Sequence, residues 1–397
     1  MTTDALQRDG IGLLLGVGVA TAAAHIGNNF TTYLIGGLID RYGFTPIQMG
    51  AWSMAETLAY AAAMFLVAPR VATLSPRRLL LAASAIIVTA QLLSAGLATY
   101  PPLLLGRIAT GLGFGLANSA LNLAAARTAH PARAISIGIA CQTLLYAAIN
   151  IVLPLIGAHW GVAGMFTGLG LLSALFALAG GLLSDGLPAD RPARDVPSGA
   201  LSPDGARVLA SMALFTFGSL AIWPFMERAA HAIDIPATAF GRYQSLATLA
   251  SCFGNLALAA WVAHARRTVP LLAALLTCGG ACAVLTTTAS PLGFGVALAL
   301  YNASWFVTYP LLLGIGYVVE PSGRLAVLCS ATWLAMMSLG SLVTGAIAQL
   351  FGSYVPVGPL GLAFCTAALL AIWPLLRRLD ACAPGLALRD APPSTAG

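Results

Sequence analysis

Three ionisable side chains lie inside apolar stretches of this sequence, and their chemistry needs explaining. Glu56, Arg107 and His25 each stand several residues from the nearest loop, where a charge is unfavourable in hydrocarbon. The other twelve of the thirteen acidic residues lie in tails, in loops or near the ends of apolar runs. Burial favours the neutral form of a carboxyl and a nearby cation favours its charged form, so a buried Glu can exchange a proton. Glu56 therefore predicts either a proton-coupling group or a structural carboxylate that pairs with Arg107 or His25.

Arg107 and His25 each have more than one interpretation. A guanidinium is a planar fork that matches carboxylates, so Arg107 predicts a substrate contact, a part in proton coupling or a structural role. Imidazole titrates near neutrality, so His25 predicts a proton relay, a cavity-lining group or a satisfied core residue. His25 shares one helical face with Asn28, Asn29 and Thr32, three, four and seven residues further on. This span therefore has a polar face, on which Asn28 and Asn29 are candidate substrate contacts.

The run from Pro102 to Asn122 is apolar, rich in glycine and long enough to cross a bilayer. At helical spacing its polar groups fall on one stripe, formed by Arg107, Gly111, Gly115, Asn118 and Asn122. A helix with a polar stripe and an apolar remainder predicts a bundle built around a polar path. We therefore expect this stripe to line that path.

Further candidate substrate-binding side chains occur in both halves of the sequence at helical spacing. They are Asn118, Gln142 and Tyr146 in the first half and Asn302, Trp305, Tyr309 and Trp333 in the second. Aromatic residues at such spacing are more often core packing than a binding wall, and both interpretations stay open here. Glu227-Arg228, at the end of another apolar run, predicts either a solvated pair or a pair beside a gate.

The composition is that of an integral membrane protein. The 397 residues are 59% hydrophobic and 8% charged, with a mean hydropathy of +0.87, whereas soluble domains carry about 25% charged residues. The net charge of +6 comes from nineteen arginines with no lysine. These arginines lie mostly in short segments between apolar runs, where membrane topology accounts for them. Nucleic-acid binding is therefore not expected.

Twelve apolar runs are long enough to span a bilayer. Their approximate limits are 11–38, 47–68, 79–98, 102–124, 134–157, 161–183, 207–230, 238–263, 269–289, 291–318, 325–350 and 356–376. The sequence predicts an N-terminal six-helix half over residues 1–183, a polar cytoplasmic linker over 184–206, a C-terminal half over 207–380 and a polar cytoplasmic tail over 381–397. The start of the chain lacks a small-residue cleavage signature and predicts a retained first span.

The distribution of arginine predicts the orientation in the membrane. With the N-terminus inside, fifteen arginines fall on the cytoplasmic side, and three, Arg41, Arg228 and Arg242, fall outside. Positive residues are enriched in cytoplasmic loops, so both termini are expected in the cytoplasm, and the protein in the bacterial plasma (inner) membrane.

The two predicted halves repeat each other. Arg77-Arg78 matches Arg266-Arg267 at an offset of 189 in the numbering, and Pro101 matches Pro291 at an offset of 190. Further matches at an offset of 191 are Thr57-Leu58-Ala59 with Thr248-Leu249-Ala250 and Arg133 with Arg324. Matches at nearly one offset, in corresponding spans, indicate a duplicated six-helix unit.

The twelve spans, the central linker and the sequence Arg107-Ile-Ala-Thr-Gly111 resemble the major facilitator superfamily over nearly the whole chain. In that superfamily an arginine, three further residues and then a glycine mark the fourth span. The loop signature after the second span keeps Arg77 and Arg78 but has Thr73 where an acid is usual. The antiporter signature of the fifth span is reduced to Pro154 and Gly157, which speaks against a drug/proton antiporter.

The resemblance implies an all-α protein of two pseudo-symmetric six-helix bundles that transports by alternating access. We expect a proton-coupled carrier of a small, partly hydrophobic organic anion, with Glu56, His25 and Arg107 in proton coupling. An antiport exporter of drugs or sugars and a transport-dead membrane receptor are the alternatives. A membrane enzyme is disfavoured, since no nucleotide-binding loop, metal pattern or nucleophile elbow occurs. No cofactor or metal is predicted. The expected partners are the substrate, a proton and the bilayer, with the chain a monomer.

Overall fold

The computed structural model describes residues 11–67, 74–126, 131–179, 183, 201–262, 268–320 and 324–382. Within these ranges the chain is almost entirely α-helical, and the described residues include no strand. The predicted linker (184–206) lies outside the described residues up to residue 200, and the predicted tail lies outside them from residue 383 onward. The all-helical fold expected from the sequence is confirmed.

The described part of the first half forms five helices. They are α1 (Ile11–Tyr42), α2 (Pro46–Val67), α3 (Pro76–Ala95), α4 (Tyr100–Ala126) and α5 (Pro131–Ala179). The second half contains α6 (Pro203–Leu220), a 3-10 turn (Trp223–Phe225), α7 (Met226–His231), α8 (Ala237–Val262), α9 (Thr268–Thr287), α10 (Pro291–Val319), α11 (Arg324–Phe351) and α12 (Val357–Cys382).

Helix α5 is two spans joined at Gly161. That residue has φ 64° and ψ −164°, a conformation that glycine adopts without steric cost. Ile156 lies beside Gly168, twelve residues later, although a straight helix would hold them about 18 Å apart. The chain therefore reverses at Gly161, and the two arms of α5 correspond to the predicted fifth and sixth spans.

Nine helical stretches among the described residues are long and apolar enough, by length and composition, to cross a membrane. One of them, Gly138–Leu178, contains both arms of α5. Helices α1 and α8 also cover predicted spans, so a helical segment occurs at each of the twelve predicted positions. Three helices begin at a serine followed by proline, at Ser75, Ser202 and Ser290, and each serine hydroxyl caps the first turn.

The helix starts repeat at the offset found in the sequence. The start of α8 follows that of α2 at an offset of 191 in the numbering, and the start of α10 follows that of α4 at the same offset. The corresponding offsets are 192 for α9 after α3 and 193 for α11 after α5. Helices α1–α5 pack mainly on each other, as do α6–α12, while α2 packs on α11 and α5 packs on α8 across the halves.

The contacts that join the halves lie toward one end of the bundle, the end at which α1 stops and α2 starts, here called the α1–α2 end. Ser53 and Thr57 of α2 face Ser341 and Ser338 of α11, with oxygens 3.4 and 2.5 Å apart. Asn150 of α5 donates to Thr248 of α8 at 3.4 Å. The two halves are therefore closed against each other from this end to the middle of their helices.

Candidate functional site

Glu56 and Arg107 form an ion pair buried between α2 and α4. Arg107 Nη2 lies 2.5 Å from Glu56 Oε2, and each side chain is 1% exposed. The guanidinium carbon lies 3.9 Å from the ring centroid of Trp52, one helical turn before Glu56. An ion pair and a cation–π contact together satisfy a charge that hydrocarbon would otherwise exclude. Of the two partners that the sequence left open for Glu56, the structure selects Arg107.

Thr31 of α1 completes this group. Its hydroxyl accepts a hydrogen bond from Arg107 Nη2, and lies 2.7 Å from the Gly27 carbonyl and 3.4 Å from Glu56 Oε2, either of which can accept its proton. The sequence analysis missed Thr31 because a threonine in an apolar helix usually bonds to its own backbone four residues earlier. The spacing of six residues after His25 gave no further signal. Three helices thus meet at one buried polar group.

Close packing of α4 on α2 holds the ion pair in place. A side chain at Gly111 would meet the Glu56 carbonyl, and one at Gly115 would meet the Tyr60 carbonyl. Small residues four apart let two helices approach closely. The expectation that this stripe lines a polar path is wrong for the two glycines, since they contact α2 and not water. Asn122, at the end of the stripe, is exposed.

Several buried polar atoms of this group have no hydrogen-bond partner. They are Arg107 Nε and Nη1, Glu56 Oε1 and the Tyr60 hydroxyl. Tyr60 is 1% exposed and lies one helical turn after Glu56 on α2. Buried polar groups are normally paired, so unpaired ones at an ion pair mark a place where a ligand, a proton or water can bind. Arg107 therefore keeps two donor groups that Glu56 does not use.

The three predicted polar residues of α1 take different positions. The Nδ1 atom of His25 bonds to the Thr21 carbonyl at 2.9 Å, and the Asn29 amide donates to the His25 carbonyl at 2.9 Å. The described contacts of His25 thus do not join it to the Glu56–Arg107 pair. Asn28 is 7% exposed and both polar atoms of its side chain are unpaired. Its carbonyl accepts from Trp223 Nε1 at 2.9 Å, so this part of α1 touches the second half.

The remaining candidates of the first half pack in three ways. The Asn118 amide approaches Met64 Sδ at 3.3 Å. The Tyr146 hydroxyl donates to the Ala22 carbonyl at 2.7 Å, which ties α5 to α1. Gln142 is partly exposed, one turn before Tyr146 on the same helix. These contacts place Asn118 and Tyr146 in helix packing around the ion pair.

Three of the four candidates of the second half form one aromatic group, made of Trp305, Tyr309 and Trp333. Trp305 and Tyr309 stack with ring centroids 5.3 Å apart and planes 7° apart. Trp333 lies 6.4 Å from Trp305 and 5.8 Å from Tyr309. The Nε1 atoms of both tryptophans are buried without a partner. Asn302 stands apart, since its amide donates to the Leu298 carbonyl at 2.9 Å.

A second ion cluster joins α1 to α7 at the α1–α2 end. Arg228 donates to both carboxylate oxygens of Asp40, at 2.6 and 2.9 Å, and its Nε donates to Glu227 at 2.9 Å. Thr32 Oγ1 lies 2.8 Å from the Glu227 backbone N–H and accepts from it. Glu227 and Arg228 are buried, with 3% and 9% of their side chains exposed. Of the two interpretations of Glu227-Arg228, the structure supports the pair beside a gate. Asp40 escaped the sequence analysis because it lies near a span end.

In the part of the chain that the structure describes, no three His, Cys, Asp or Glu side chains are grouped so that they could hold a metal ion. Cys278 and Cys282, the close pair in the sequence, are free and fully buried in α9.

A membrane-spanning bundle of two repeated halves, with a buried carboxyl, a guanidinium and an aromatic group at its centre, defines a membrane transporter fold. The family model described as Major Facilitator Superfamily matches residues 17–326. The chain belongs to this superfamily, as the resemblance in the sequence predicted. No curated protein matches the chain in sequence.

Solved transporters share this fold at low sequence identity. The nucleoside transporter NupG superposes with a TM-score of 0.75 at 12% identity, covering 91% of this chain and 99% of that one. A D-xylose-proton symporter gives 0.70 at 12%, covering 91% and 96%. The human organic anion transporter MFSD10 gives 0.62 at 17%, covering 92% and 99%. At these identities the likeness establishes the fold and leaves the substrate open.

Proposed function

We propose that this protein couples the movement of a proton to the movement of a small organic anion through competition for Arg107. The observation that carries the proposal is the buried Glu56–Arg107 pair, in which two donor groups of the guanidinium are unused. Deprotonated Glu56 neutralises Arg107. Protonation of Glu56 removes that counter-charge and leaves a buried guanidinium that a substrate carboxylate can bind.

The cycle requires that neither charge stay buried alone. A buried ion without a counter-ion is strongly unfavourable, so Arg107 is paired either with Glu56 or with the substrate anion. Proton and anion therefore enter together and leave together, which is symport. Thr31 keeps contact with Arg107 in both states, since its hydroxyl accepts from the guanidinium. His25, partly exposed on α1, is a candidate relay between water and this pair.

The asymmetry between the halves supports this division of roles. At the repeat offset of 191, Glu56 corresponds to Ala247 and Arg107 to Leu298, and both counterparts are fully buried apolar residues. The second half instead contributes Trp305, an aromatic residue with an unpaired N–H. We propose that the first half handles the proton and the carboxylate and that the second half contacts the body of the substrate.

The arginine distribution supports an orientation with both termini in the cytoplasm of a bacterial cell and the α1–α2 end outside. Because the halves meet from the α1–α2 end to the middle of their helices, this orientation makes the structure an inward-facing state. Asn28, Asn29, Gln142 and Asn302 are candidate contacts on the path that such a state opens. Domain limits at 1–183 and 207–380 remain part of this proposal.

Proton flux in proteoliposomes tests the proposal. The purified protein is reconstituted with a pH-sensitive dye inside, and carboxylates, sugars and cationic drugs are added outside, one class at a time. Acidification of the lumen on adding a carboxylate, lost when Arg107 is replaced by Gln, is the expected result. Alkalinisation on adding a drug would instead establish antiport. Substrate movement without proton movement would make the protein a facilitator and contradict the proposal.

A further inference from the structure

The aromatic group in the second half contains hydrogen-bond donors without acceptors. Trp305 and Trp333 each have a buried, unpaired indole N–H, and an indole nitrogen cannot accept. Their rings are partly exposed, so the group presents apolar faces beside polar edges. A tryptophan placed only for packing normally finds a partner for its N–H when that atom is buried. Two such atoms on neighbouring tryptophans point to a ligand that supplies the acceptors.

Tyr60 connects the aromatic group to the ion pair. Its hydroxyl is buried and unpaired, and it interacts electrostatically with both Glu56 and Tyr309. Tyr60 and Trp305 each lie fourteen residues after the start of their helix, α2 and α10. Phe294 near the start of α10 packs on Phe240 of α8, so both helices begin at the α1–α2 end. At 1.5 Å per residue the two side chains are at the same depth, about 21 Å from that end.

The free groups at this depth are therefore mostly donors. Arg107 offers Nε and Nη1, and Trp305 and Trp333 offer their indole N–H groups, while Tyr60 has a hydroxyl that can donate or accept. A ligand that satisfies them has acceptors at two ends. One end is a carboxylate, which fits the guanidinium, and the other end has an acceptor within a flat ring, which fits between aromatic side chains.

We propose that the substrates are planar aromatic or heteroaromatic carboxylates that carry a hydrogen-bond acceptor on the ring. This inference rests on the proposed anion transport and narrows it to one chemical class. The carboxylate binds Arg107 in place of Glu56. The ring lies against Trp305 and Trp333, with its acceptor on an indole N–H, and Tyr60 spans the space between the two ends.

Three acids of nearly equal size test the class in proteoliposomes of the full-length protein. They are pyridine-3-carboxylate, benzoate and cyclohexanecarboxylate, which differ in turn by the ring acceptor and by planarity, and the other two pyridinecarboxylate isomers are added. Proton uptake is measured against concentration for each acid. The expected apparent KM is about tenfold lower for the best pyridinecarboxylate than for benzoate, a factor that one hydrogen bond can supply. It is higher again for cyclohexanecarboxylate.

Two variants assign the ring acceptor to the tryptophans. Trp305→Phe and Trp333→Phe keep an aromatic ring and remove the N–H, and at least one of them is expected to abolish the preference for pyridinecarboxylate while leaving benzoate unchanged. The control is Trp160→Phe at the reversal of α5, where the side chain is exposed. Equal loss in all three variants, or an unchanged preference in both test variants, would overturn the assignment.

The outcomes separate this inference from the proposed function. If cyclohexanecarboxylate or short aliphatic acids evoke as much proton uptake as the aromatic acids, the substrate class is wrong and anion–proton symport stands. If carboxylates evoke no proton uptake at all, the proposed function itself is wrong, and the class fails with it.

Discussion

Arg228 of α7 holds both carboxylate oxygens of Asp40 on α1, at 2.6 and 2.9 Å, and so joins the two halves of the protein. The same guanidinium bonds to Glu227, which is buried against Gly36 of α1. A cluster that bridges the halves at one end must come apart whenever that end opens. The free energy of this cluster therefore contributes to the balance between the two conformations of an alternating-access cycle.

Replacing Arg228 by Gln should shift this balance toward a state that is open at the α1–α2 end. The substitution leaves Glu227 buried without its counter-ion, which is unfavourable in the closed state and is relieved on opening. The reporter is Ser53→Cys, on the seam between α2 and α11, in a chain whose native cysteines are replaced. We expect its labelling by a membrane-impermeant maleimide to rise about tenfold, a shift within the usual range of conformational coupling.

Arg242→Gln is the matched control for this experiment. Arg242 also lies at the α1–α2 end, at the start of α8, but its side chain is exposed. Exposed charges contribute little to stability, so its removal should leave the labelling rate unchanged. An equal rate for wild type and Arg228→Gln would show that the cluster does not hold this end closed.

Thr31→Val should impair proton-driven uptake more than Thr31→Ser. Valine matches threonine in shape but lacks the hydroxyl that accepts from Arg107 and lies 3.4 Å from Glu56 Oε2. Serine keeps that hydroxyl. We expect initial rates of pH-driven uptake in proteoliposomes to fall at least about tenfold for valine and by less than about threefold for serine, as for the loss of one hydrogen bond to a charged group. Similar rates for both variants would remove Thr31 from the site.

Two glycine-to-alanine substitutions should change stability in opposite directions. An added Cβ at Gly111 would lie 2.9 Å from Ala59 Cβ and would also meet the Glu56 carbonyl, so it pushes α4 from α2. We expect a loss of about 1–3 kcal/mol and a lower midpoint of thermal unfolding in detergent. An added Cβ at Gly280, inside α9, meets no atom within 4 Å. Alanine there should be neutral or should stabilise by up to about 1 kcal/mol. A similar midpoint for both variants would contradict the close packing of α2 and α4.

The sequence predicted those features that follow from composition and local pattern. Long apolar runs predict membrane helices, serine-proline pairs predict helix starts, and a constant offset predicts two repeated halves. Glu56 and Arg107 stood out because a charge in an apolar run has few acceptable environments. The loss of hydropathy signal at a glycine hinge is harder to see, yet the reversal at Gly161 fell between two predicted spans.

The pairings between distant helices could not be predicted in the same way. Asp40 and Arg228 are far apart in the sequence, and each looks like an ordinary residue near a span end. Gly111 and Gly115 share a face with Arg107, but that face packs on α2, since spacing shows which residues share a side and not what covers that side. Thr31 was hidden because threonine is common in apolar helices.

The central claim is that Glu56 carries the coupled proton while Arg107 binds the anion, and two assays on the same proteoliposomes separate these roles. One measures accumulation of the carboxylate that gives the largest proton flux in wild type, driven by a pH gradient. The other measures exchange of labelled for unlabelled carboxylate without a gradient. For Glu56→Gln we predict exchange within about threefold of wild type and accumulation reduced more than about tenfold, since a neutral side chain leaves Arg107 free for the anion but cannot release a proton. Arg107→Gln should lose both. Accumulation by Glu56→Gln at the wild-type rate, with unchanged proton uptake, would contradict the account and leave Glu56 a structural residue.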